Sequence, residues 1–153
     1  MAPTFHEGEL DREDVQALLS LHFAAMRSHS PPDACHVLPA AALRQPSITF
    51  FSGRGAGELL GIGALKELDP FNGEIKSMRT APTALGQGVG RLLLGRIVEE
   101  ARRRGYRHLS LETGSGPEFT AALRLYEGAG FRPCAPFGGY LDTPFTRVLS
   151  LDL

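Results

Sequence analysis

The sequence has few of the residues that build disulfide-linked or metal-bound scaffolds. Its two cysteines, Cys35 and Cys134, stand far apart, and neither belongs to a C-x-x-C pair. Its five histidines show no metal-ligand spacing such as H-E-x-x-H. These absences argue against a disulfide framework and a structural zinc site, so we expect no metal in this protein.

An excess of charge of one sign and long apolar runs are also missing. The lysines and arginines number 16 and the aspartates and glutamates 17, which leaves a formal net charge of −1. That balance gives no electrostatic reason to expect nucleic acid or an anionic membrane as a partner. Because no apolar run is long enough to span a bilayer or to serve as a signal segment, we expect a cytoplasmic location.

What the sequence does contain is the composition of an ordinary globular domain. Its 153 residues are 42% hydrophobic and 22% charged. This chain is long enough to bury a hydrophobic core, and we predict one domain over residues 1–153.

The stretch from Gly73 to Gly105 has the clearest pattern. Residues Glu74–Thr80 are predicted to form a strand, and an amphipathic helix is predicted from about Gly88. The apolar residues of this helix recur at the spacing of one helical face. They are Val89, Leu92, Leu93, Ile97 and Ala101.

A glycine cluster, Gly86-Gln87-Gly88-Val89-Gly90, lies between the strand and the helix. The first turn of a helix leaves N–H groups without partners and carries a partial positive charge. Glycines allow a phosphate to approach those groups closely. The cluster is therefore a candidate diphosphate cradle, with a flexible connecting loop as the alternative.

The elements along the chain are predicted in the order α, β, β, β, α, β, α, β, β. The first helix is predicted from an Asp11 N-cap to about Ser28, and the third from Pro117 to Gly128 or Gly130. The predicted strands are Ile48–Ser52, Glu58–Glu67, Glu74–Thr80, Leu109–Thr113, a short strand from Phe131, and Thr146–Leu151. The first three form an antiparallel meander, and the fourth returns parallel to the third after a helical crossover. This order predicts a mixed sheet with helices on its faces.

Alternation along the central strand predicts which side chains share a face of the sheet. Glu74, Lys76, Met78 and Thr80 are predicted on one face, and Ile75, Ser77 and Arg79 on the other. Polar residues are unusual in a central strand. We take them to indicate a polar pocket and hypothesise that it receives a carboxylate-bearing substrate.

Two motifs stand within this order of elements. One runs from Glu74 through Pro82 to Gly86-x-Gly88-x-Gly90 and looks like an acyl-CoA-binding motif. The other, Ala122-Leu123-Arg124-Leu125-Tyr126-Glu127-Gly128-Ala129-Gly130-Phe131, is similar to the signature A-x-x-L-Y-x-x-x-G-F. Together, over about Ile48 to Leu151, they resemble the GNAT superfamily of N-acetyltransferases, and in particular its small, poorly characterised bacterial members.

The resemblance implies an α/β acyl-CoA N-acyltransferase fold: a mixed, mostly antiparallel central sheet with a parallel splayed strand pair and helices on both faces. It also implies acetyl-CoA as co-substrate, with the pantetheine arm beside the backbone of Met78, Arg79 and Thr80. The residues implied to hold the diphosphate are Gly86, Gln87, Gly88, Val89, Gly90 and Arg91. The sequence departs from the family at Leu85, often Arg or Gln, and at Phe119, often Asn.

The activity implied by the resemblance is transfer of an acetyl group to a primary amine of a small molecule by direct attack on the thioester. Tyr126 fits the family's general acid, which gives its proton to the CoA thiolate. Its reference pKa of about 10 lies above that of a thiol, about 8.5, so it stays protonated at neutral pH. Glu74 and Glu112 are the two candidate general bases. Dimers are common in the superfamily, so a homodimer is among the expected assemblies.

Two other interpretations stay open on the sequence alone. A strand, Gly86-x-Gly88, a helix and then Glu112 superficially match a dinucleotide-binding βαβ unit, although Arg91 replaces its third glycine. A P-loop is excluded, since no G-K-[ST] follows the glycines. The other interpretation is a non-catalytic acyl-CoA-binding or regulatory module on the same fold.

Overall fold

Seven strands form one sheet in the computed structural model, which describes residues 2–153. The strands are β1 Thr4–Glu7, β2 Ile48–Gly55, β3 Glu58–Asp69, β4 Asn72–Thr80, β5 His108–Thr113, β6 Arg132–Pro133 and β7 Arg147–Asp152. The helices are α1 Glu13–His29, α2 Val89–Arg103 and α3 Thr120–Gly128. Short 3₁₀ turns lie at Pro32–Ala34, Ala40–Arg44, Pro82–Ala84 and Pro117–Phe119. Over residues 2–153, no helix is both long enough and apolar enough to cross a bilayer.

The strands lie in the order β1-β2-β3-β4-β5-β7-β6. Every neighbouring pair is antiparallel except β4 and β5, which run parallel on either side of α2 in the chain. The predicted fold class, a mostly antiparallel mixed sheet with one parallel pair, is therefore confirmed.

Helices cover both faces of this sheet. Helix α1 packs through Val15 and Leu19 onto Ile62 and Ala64 of β3. Helices α2 and α3 cover the opposite face, where Ile97 belongs to a cluster of buried side chains that includes residues of β3, β4, β5 and β7. Two cores thus hold the sheet from its two sides, and this fixes the position of the central strands between them.

The N-terminal region differs from the prediction in two ways. Strand β1 was not predicted, because its four residues TFHE show no clear apolar alternation; it pairs with β2 at the edge of the sheet. The N-cap of α1 is Arg12, without a side-chain capping bond. The prediction of Asp11 as N-cap is wrong, because its carboxylate accepts a hydrogen bond from Arg44 Nη2 at 2.5 Å.

The buried face of α2 is also wider than predicted. Leu92 was predicted to be buried but is 44% exposed, whereas Leu94 and Val98 are buried. The reason is that α2 contributes to both cores, with Leu93 in one and Leu94 and Val98 in the other. One periodic face read from the sequence does not describe a helix that packs on two clusters.

A bulge in β4 changes which side chains face which helix. In the register of β3 and β4, Ala64 lies opposite Lys76, but Ile62 lies opposite Arg79, so β4 carries one extra residue there. Ser77, within this bulge, has a φ of 55°. The alternation is therefore wrong beyond Lys76: Arg79 shares the α1 face with Glu74 and Lys76, and Met78 and Thr80 move to the α2 face.

The left-handed backbone of Ser77 leads to a stability prediction. A β-branched side chain is strained at positive φ, so Ser77→Val is expected to lower the free energy of unfolding by about 1–3 kcal/mol. The measurement is the thermal midpoint, which is expected to fall by several degrees. Ser77→Gly is the matched control and should keep or raise the midpoint. Equal midpoints for Ser77→Val and wild type would contradict the bulge.

Candidate active site

The parallel pairing of β4 and β5 stops before either strand ends. The last paired residues are Ile75 and Leu111, while β4 continues to Thr80 and β5 to Thr113. From residue 76 onward, the β5-facing peptide groups of β4 have no strand partner. The expected splay is thus present, and its gap opens into a cavity of about 390 Å³.

The cavity extends on both sides of this gap. Side chains of α1 and the loop after it line one mouth, and side chains at the start of α2 and on α3 line the other. The first mouth includes His22, Met26, His29, His36, Val37 and Leu38, and the second includes Leu85, Gly90, Leu93, Ala122, Leu125 and Tyr126. Over residues 2–153, no group of three or more His, Cys, Asp or Glu side chains is placed to hold a metal.

Tyr126 reaches the cavity from α3. Its ring packs edge-on against Phe131, with 5.8 Å between centroids, and the residue is only 7% exposed. Burial raises the pKa of Tyr126 well above its usual range, and the positive charge of Arg79 opposes that shift only in part. The phenol therefore keeps its proton at neutral pH.

Glu112 lines the cavity from β5. Burial raises its pKa to about 7; the Lys76 ammonium opposes this rise and the Glu74 carboxylate adds to it. A carboxyl group with this pKa changes its protonation state near neutral pH. Such a group, at a cavity wall, is suited to accept and release a proton during a reaction.

Glu74 is held in a hydrogen-bonded group beside the cavity rather than on its wall. Its side chain is buried, its Oε2 accepts a hydrogen bond from the Tyr140 hydroxyl at 2.5 Å, and Lys76 Nζ lies 3.2 Å from the same oxygen. Lys76 Nζ also donates to the Tyr140 hydroxyl. Of the two carboxylates named from the sequence, only Glu112 lines the cavity.

Arg79 and His22 meet on the α1 side of the gap. Arg79 Nε donates to His22 Nδ1 at 2.9 Å. Burial, together with the nearby charge of Arg79, lowers the pKa of His22 to about 4. The imidazole is therefore neutral at pH 7, which suits its role as the acceptor of this hydrogen bond.

Neither His22 nor Tyr140 was predicted from the sequence to belong to the site. His22 had a weak signal, since it is a polar residue on the same helical face as Leu18 and Leu19 and is buried with them. Tyr140 had none, because it lies outside regular structure and reaches Glu74 across 66 positions of the chain. Only the tertiary structure brings Tyr140 to β4.

The N-terminus of α2 has the features that an anionic group requires. Gly88 is the N-cap, with a φ of 79° and no side-chain capping bond. The N–H groups of Val89, Gly90 and Arg91 have no acceptor within residues 2–153. An added Cβ at Gly86 or Gly88 would meet no atom within 4 Å, so the space in front of them is open. These residues fit the diphosphate of a coenzyme.

The dinucleotide-binding interpretation is wrong for this chain. In that fold the strand before the glycines lies among parallel neighbours in a doubly wound sheet. Here β4 has the antiparallel β3 on one side, and its parallel pairing with β5 ends at Ile75.

A central sheet that splits between its parallel strands, beside a helix N-terminus open to anions, defines the acyl-CoA N-acyltransferase fold. The chain belongs to the acetyltransferase (GNAT) family, whose family model matches residues 12–131. It is therefore an N-acetyltransferase that uses acetyl-CoA as co-substrate, as the motifs around Gly88 and Tyr126 predicted.

Individual relatives agree with this assignment over nearly the whole chain. The chain is 48% identical over 145 residues to YsnE, an uncharacterised N-acetyltransferase of Bacillus subtilis, with 95% of this chain and 96% of the relative covered. It is 45% identical over 150 residues to YedL, an uncharacterised N-acetyltransferase of Escherichia coli, with 98% and 94% covered. A crystal structure from Klebsiella pneumoniae, provisionally described as an acyl-CoA N-acyltransferase, superposes with a TM-score of 0.79 at 26% identity, covering 99% of this chain and 97% of that one.

Proposed function

We propose that the chain transfers an acetyl group directly to a primary amine of a small molecule, with Glu112 as general base and Tyr126 as general acid. One observation carries this proposal. At the gap between β4 and β5, the cavity is lined by a carboxyl group with a pKa near 7 and by a phenol that keeps its proton. Direct transfer to an amine needs one group of each kind.

The co-substrate is held by backbone in this proposal. The unpaired peptide groups of β4 at Met78, Arg79 and Thr80 pair with the pantetheine arm, and the glycine cluster holds the diphosphate. That cluster consists of Gly86, Gln87, Gly88, Val89, Gly90 and Arg91. When bound, acetyl-CoA would supply the acetyl group as a thioester, and CoA would leave as a thiol. Leu85 adds no charged contact there, which leaves the anion to the backbone N–H groups.

Glu112 prepares the amine. A primary amine is mostly an ammonium ion at neutral pH and must lose a proton before it can attack. The carboxylate of Glu112 accepts that proton, and its pKa of about 7 makes it a stronger base than an ordinary carboxylate. Glu74 has a positioning role here: it pairs with Lys76 and accepts from Tyr140, and its negative charge helps to raise the Glu112 pKa.

Tyr126 provides the proton that the CoA thiolate needs when it leaves. Its Oη keeps its hydrogen at neutral pH because the residue is buried. Because a thiol is more acidic than this phenol, transfer of the proton from Oη to the thiolate is uphill, and it is completed when the phenolate takes a proton back from solvent. Placement of both groups at one gap also reduces the entropic cost of bringing the reactants together.

The test is release of free thiol from acetyl-CoA with a panel of primary amines. The proposal predicts release that saturates with at least one amine, together with the acetylated amine detected by mass spectrometry. Binding of acetyl-CoA without acetylation of any amine in the panel would instead favour the non-catalytic acyl-CoA-binding module. An assay without amine is the control for simple hydrolysis.

The glycine cluster leads to a binding prediction. Gly88→Val is expected to weaken acetyl-CoA binding about 10-fold or more, because a side chain would stand before the N–H groups at a strained positive φ. The measurement is the Kd for acetyl-CoA by calorimetry. Gly57→Val is the matched control, since Gly57 also has a positive φ (82°) and open surroundings but lies in the β2–β3 turn. Equal loss of affinity in both variants would contradict the cradle.

Domain organisation, cellular location and oligomeric state are also part of the proposal. We propose that residues 1–153 act as one acetyltransferase domain in the cytoplasm, where free thiols such as Cys35 and Cys134 are the rule. A homodimer is the assembly that the family leads us to expect. Sedimentation of the purified chain separates a dimer from a monomer.

A further inference from the structure

The bulge at Ser77 gives Arg79 a position that the sequence did not predict. Arg79 lies opposite Ile62 of β3 and so faces α1, away from the N-terminus of α2. Its side chain lines the cavity on that side together with His22, Met26 and His36. The glycine cluster lies beyond the other face of the sheet, and the Arg79 guanidinium enters the gap from the α1 side, near enough to Tyr126 for its charge to act on that phenol.

The charge of Arg79 is unpaired. Within residues 2–153, no carboxylate lies within ion-pair distance of its guanidinium. Two other cations on the α1 face of the sheet do have counterions: Lys76 Nζ lies 3.2 Å from Glu74, and the Arg54 guanidinium lies 2.9 Å from Glu9 and 2.6 Å from Asp14. A half-buried charge without a counterion is unfavourable in the free protein, and a bound anion would relieve that cost.

His22 leaves one edge of the guanidinium free. It engages Arg79 only through Nε, and neither Nη atom has a hydrogen-bond partner within residues 2–153. Because no fully buried side-chain nitrogen or oxygen lacks a partner in that part of the chain, each Nη atom keeps some accessible surface, and the residue lines the cavity. A guanidinium held at Nε presents its Nη donors in a fixed fork, the geometry that binds a carboxylate through two parallel hydrogen bonds.

We propose that Arg79, oriented by neutral His22, binds a carboxylate of the acceptor, and that the acceptor is a small amine carrying a carboxylate, as amino acids do. This inference rests on the proposed function and names its substrate class. It assigns the carboxylate to Arg79 and not to Lys76, whose charge Glu74 already balances. The backbone of Arg79 still borders the pantetheine arm, so its peptide group and its side chain serve different substrates.

The test compares amino acids with their carboxamides as acceptors, using the intact enzyme and acetyl-CoA. Each pair has the same side chain and differs in the carboxylate. For the amino acid that it acetylates best, wild type is expected to have a higher kcat/KM than for the carboxamide of the same amino acid. Arg79→Gln is expected to raise KM for that acid about 10- to 100-fold, as removal of charged hydrogen bonds does, and to leave KM for the carboxamide nearly unchanged.

Two further variants separate binding from structure. Arg79→Lys keeps the positive charge but lacks the paired Nη donors, so it should prefer the amino acid over the carboxamide more than Arg79→Gln does and less than wild type does. Arg124→Gln removes an exposed arginine of α3 that does not line the cavity and should behave as wild type. The Kd for acetyl-CoA should be the same in all variants, which shows that each is folded and that Arg79 does not bind the diphosphate.

The outcomes distinguish the inference from the function on which it rests. Acetylation of amines with no preference for the acid, or an unchanged preference in Arg79→Gln, overturns the carboxylate site and leaves the transferase standing. Loss of acetyl-CoA affinity in Arg79→Gln assigns the side chain to the coenzyme and also overturns the inference. If wild type acetylates none of the acids and none of the carboxamides but does acetylate other amines of the panel, the inference falls and the transferase stands; if it acetylates no amine at all, both proposals fall.

Discussion

Tyr126→Phe is expected to lower kcat for acetyl transfer by about 100-fold or more, the usual contribution of a positioned general acid. The substitution removes only the phenolic hydroxyl, and the ring keeps its edge-on contact with Phe131. Because we propose that the backbone of β4 and α2 holds the coenzyme, the Kd for acetyl-CoA is expected to stay the same. Steady-state kinetics with a saturating amine, together with calorimetric binding, measure both quantities.

Tyr106→Phe is the matched control for this prediction. Tyr106 is also buried, but its hydroxyl donates to Glu67 and does not line the cavity. Its loss should cost some thermal stability and leave kcat unchanged. A wild-type kcat in Tyr126→Phe would show that the thiolate takes its proton from another source, and Tyr126 would then be a packing residue.

Glu112→Gln is expected to lower kcat/KM by about 100-fold near neutral pH and to remove its acidic limb. The base must be ionised to accept a proton, and its pKa is raised to about 7 by burial. The kcat/KM of wild type should therefore fall as the pH drops through about 7, because Glu112 becomes protonated. A glutamine at this position neither titrates nor accepts the proton, so that limb should disappear.

Glu74→Gln distinguishes the two candidate bases. The negative charge of Glu74 helps to raise the Glu112 pKa, and its removal also leaves Lys76 free to lower that pKa further. The acidic limb of kcat/KM should therefore move to lower pH in Glu74→Gln, rather than vanish. Loss of the limb in Glu74→Gln with its retention in Glu112→Gln would make Glu74 the base. Glu127→Gln, an exposed position on α3, should match wild type.

The central strands and helices follow from local sequence and were predicted, whereas β1 was missed and Asp11 was wrongly predicted as the N-cap of α1. The glycine cluster before α2 and the order of strands and helices are local signals, and the order was enough to predict the parallel pair, while the splay was implied by the family resemblance. The N-terminus of α2 begins where the glycines place it, at the Gly88 N-cap. Such features depend on backbone conformation within a few residues, which the side chains present determine.

The parts that depend on tertiary contacts were not predicted. One extra residue in β4 reverses the alternation after Lys76, so Arg79 joins the face of Glu74 instead of the opposite one. Glu112 was named as a candidate base, but its raised pKa depends on its burial and on Glu74 and Lys76, none of which a single strand reveals. His22 and Tyr140 reach β4 across 57 and 66 positions of the chain, and no local pattern reports such contacts.

The most direct test of the central claim, direct transfer from acetyl-CoA to an amine by Glu112 and Tyr126, is a single-turnover experiment with enzyme in excess. Free thiol, acetylated amine and the intact mass of the protein are followed together. The account predicts one acetylated amine for each thiol released, no acetyl group on the protein, and a much slower reaction in the double variant of Glu112→Gln and Tyr126→Phe. Thiol release without acetylated amine, an acetylated protein that forms before the product, or an unchanged rate in the double variant would contradict it.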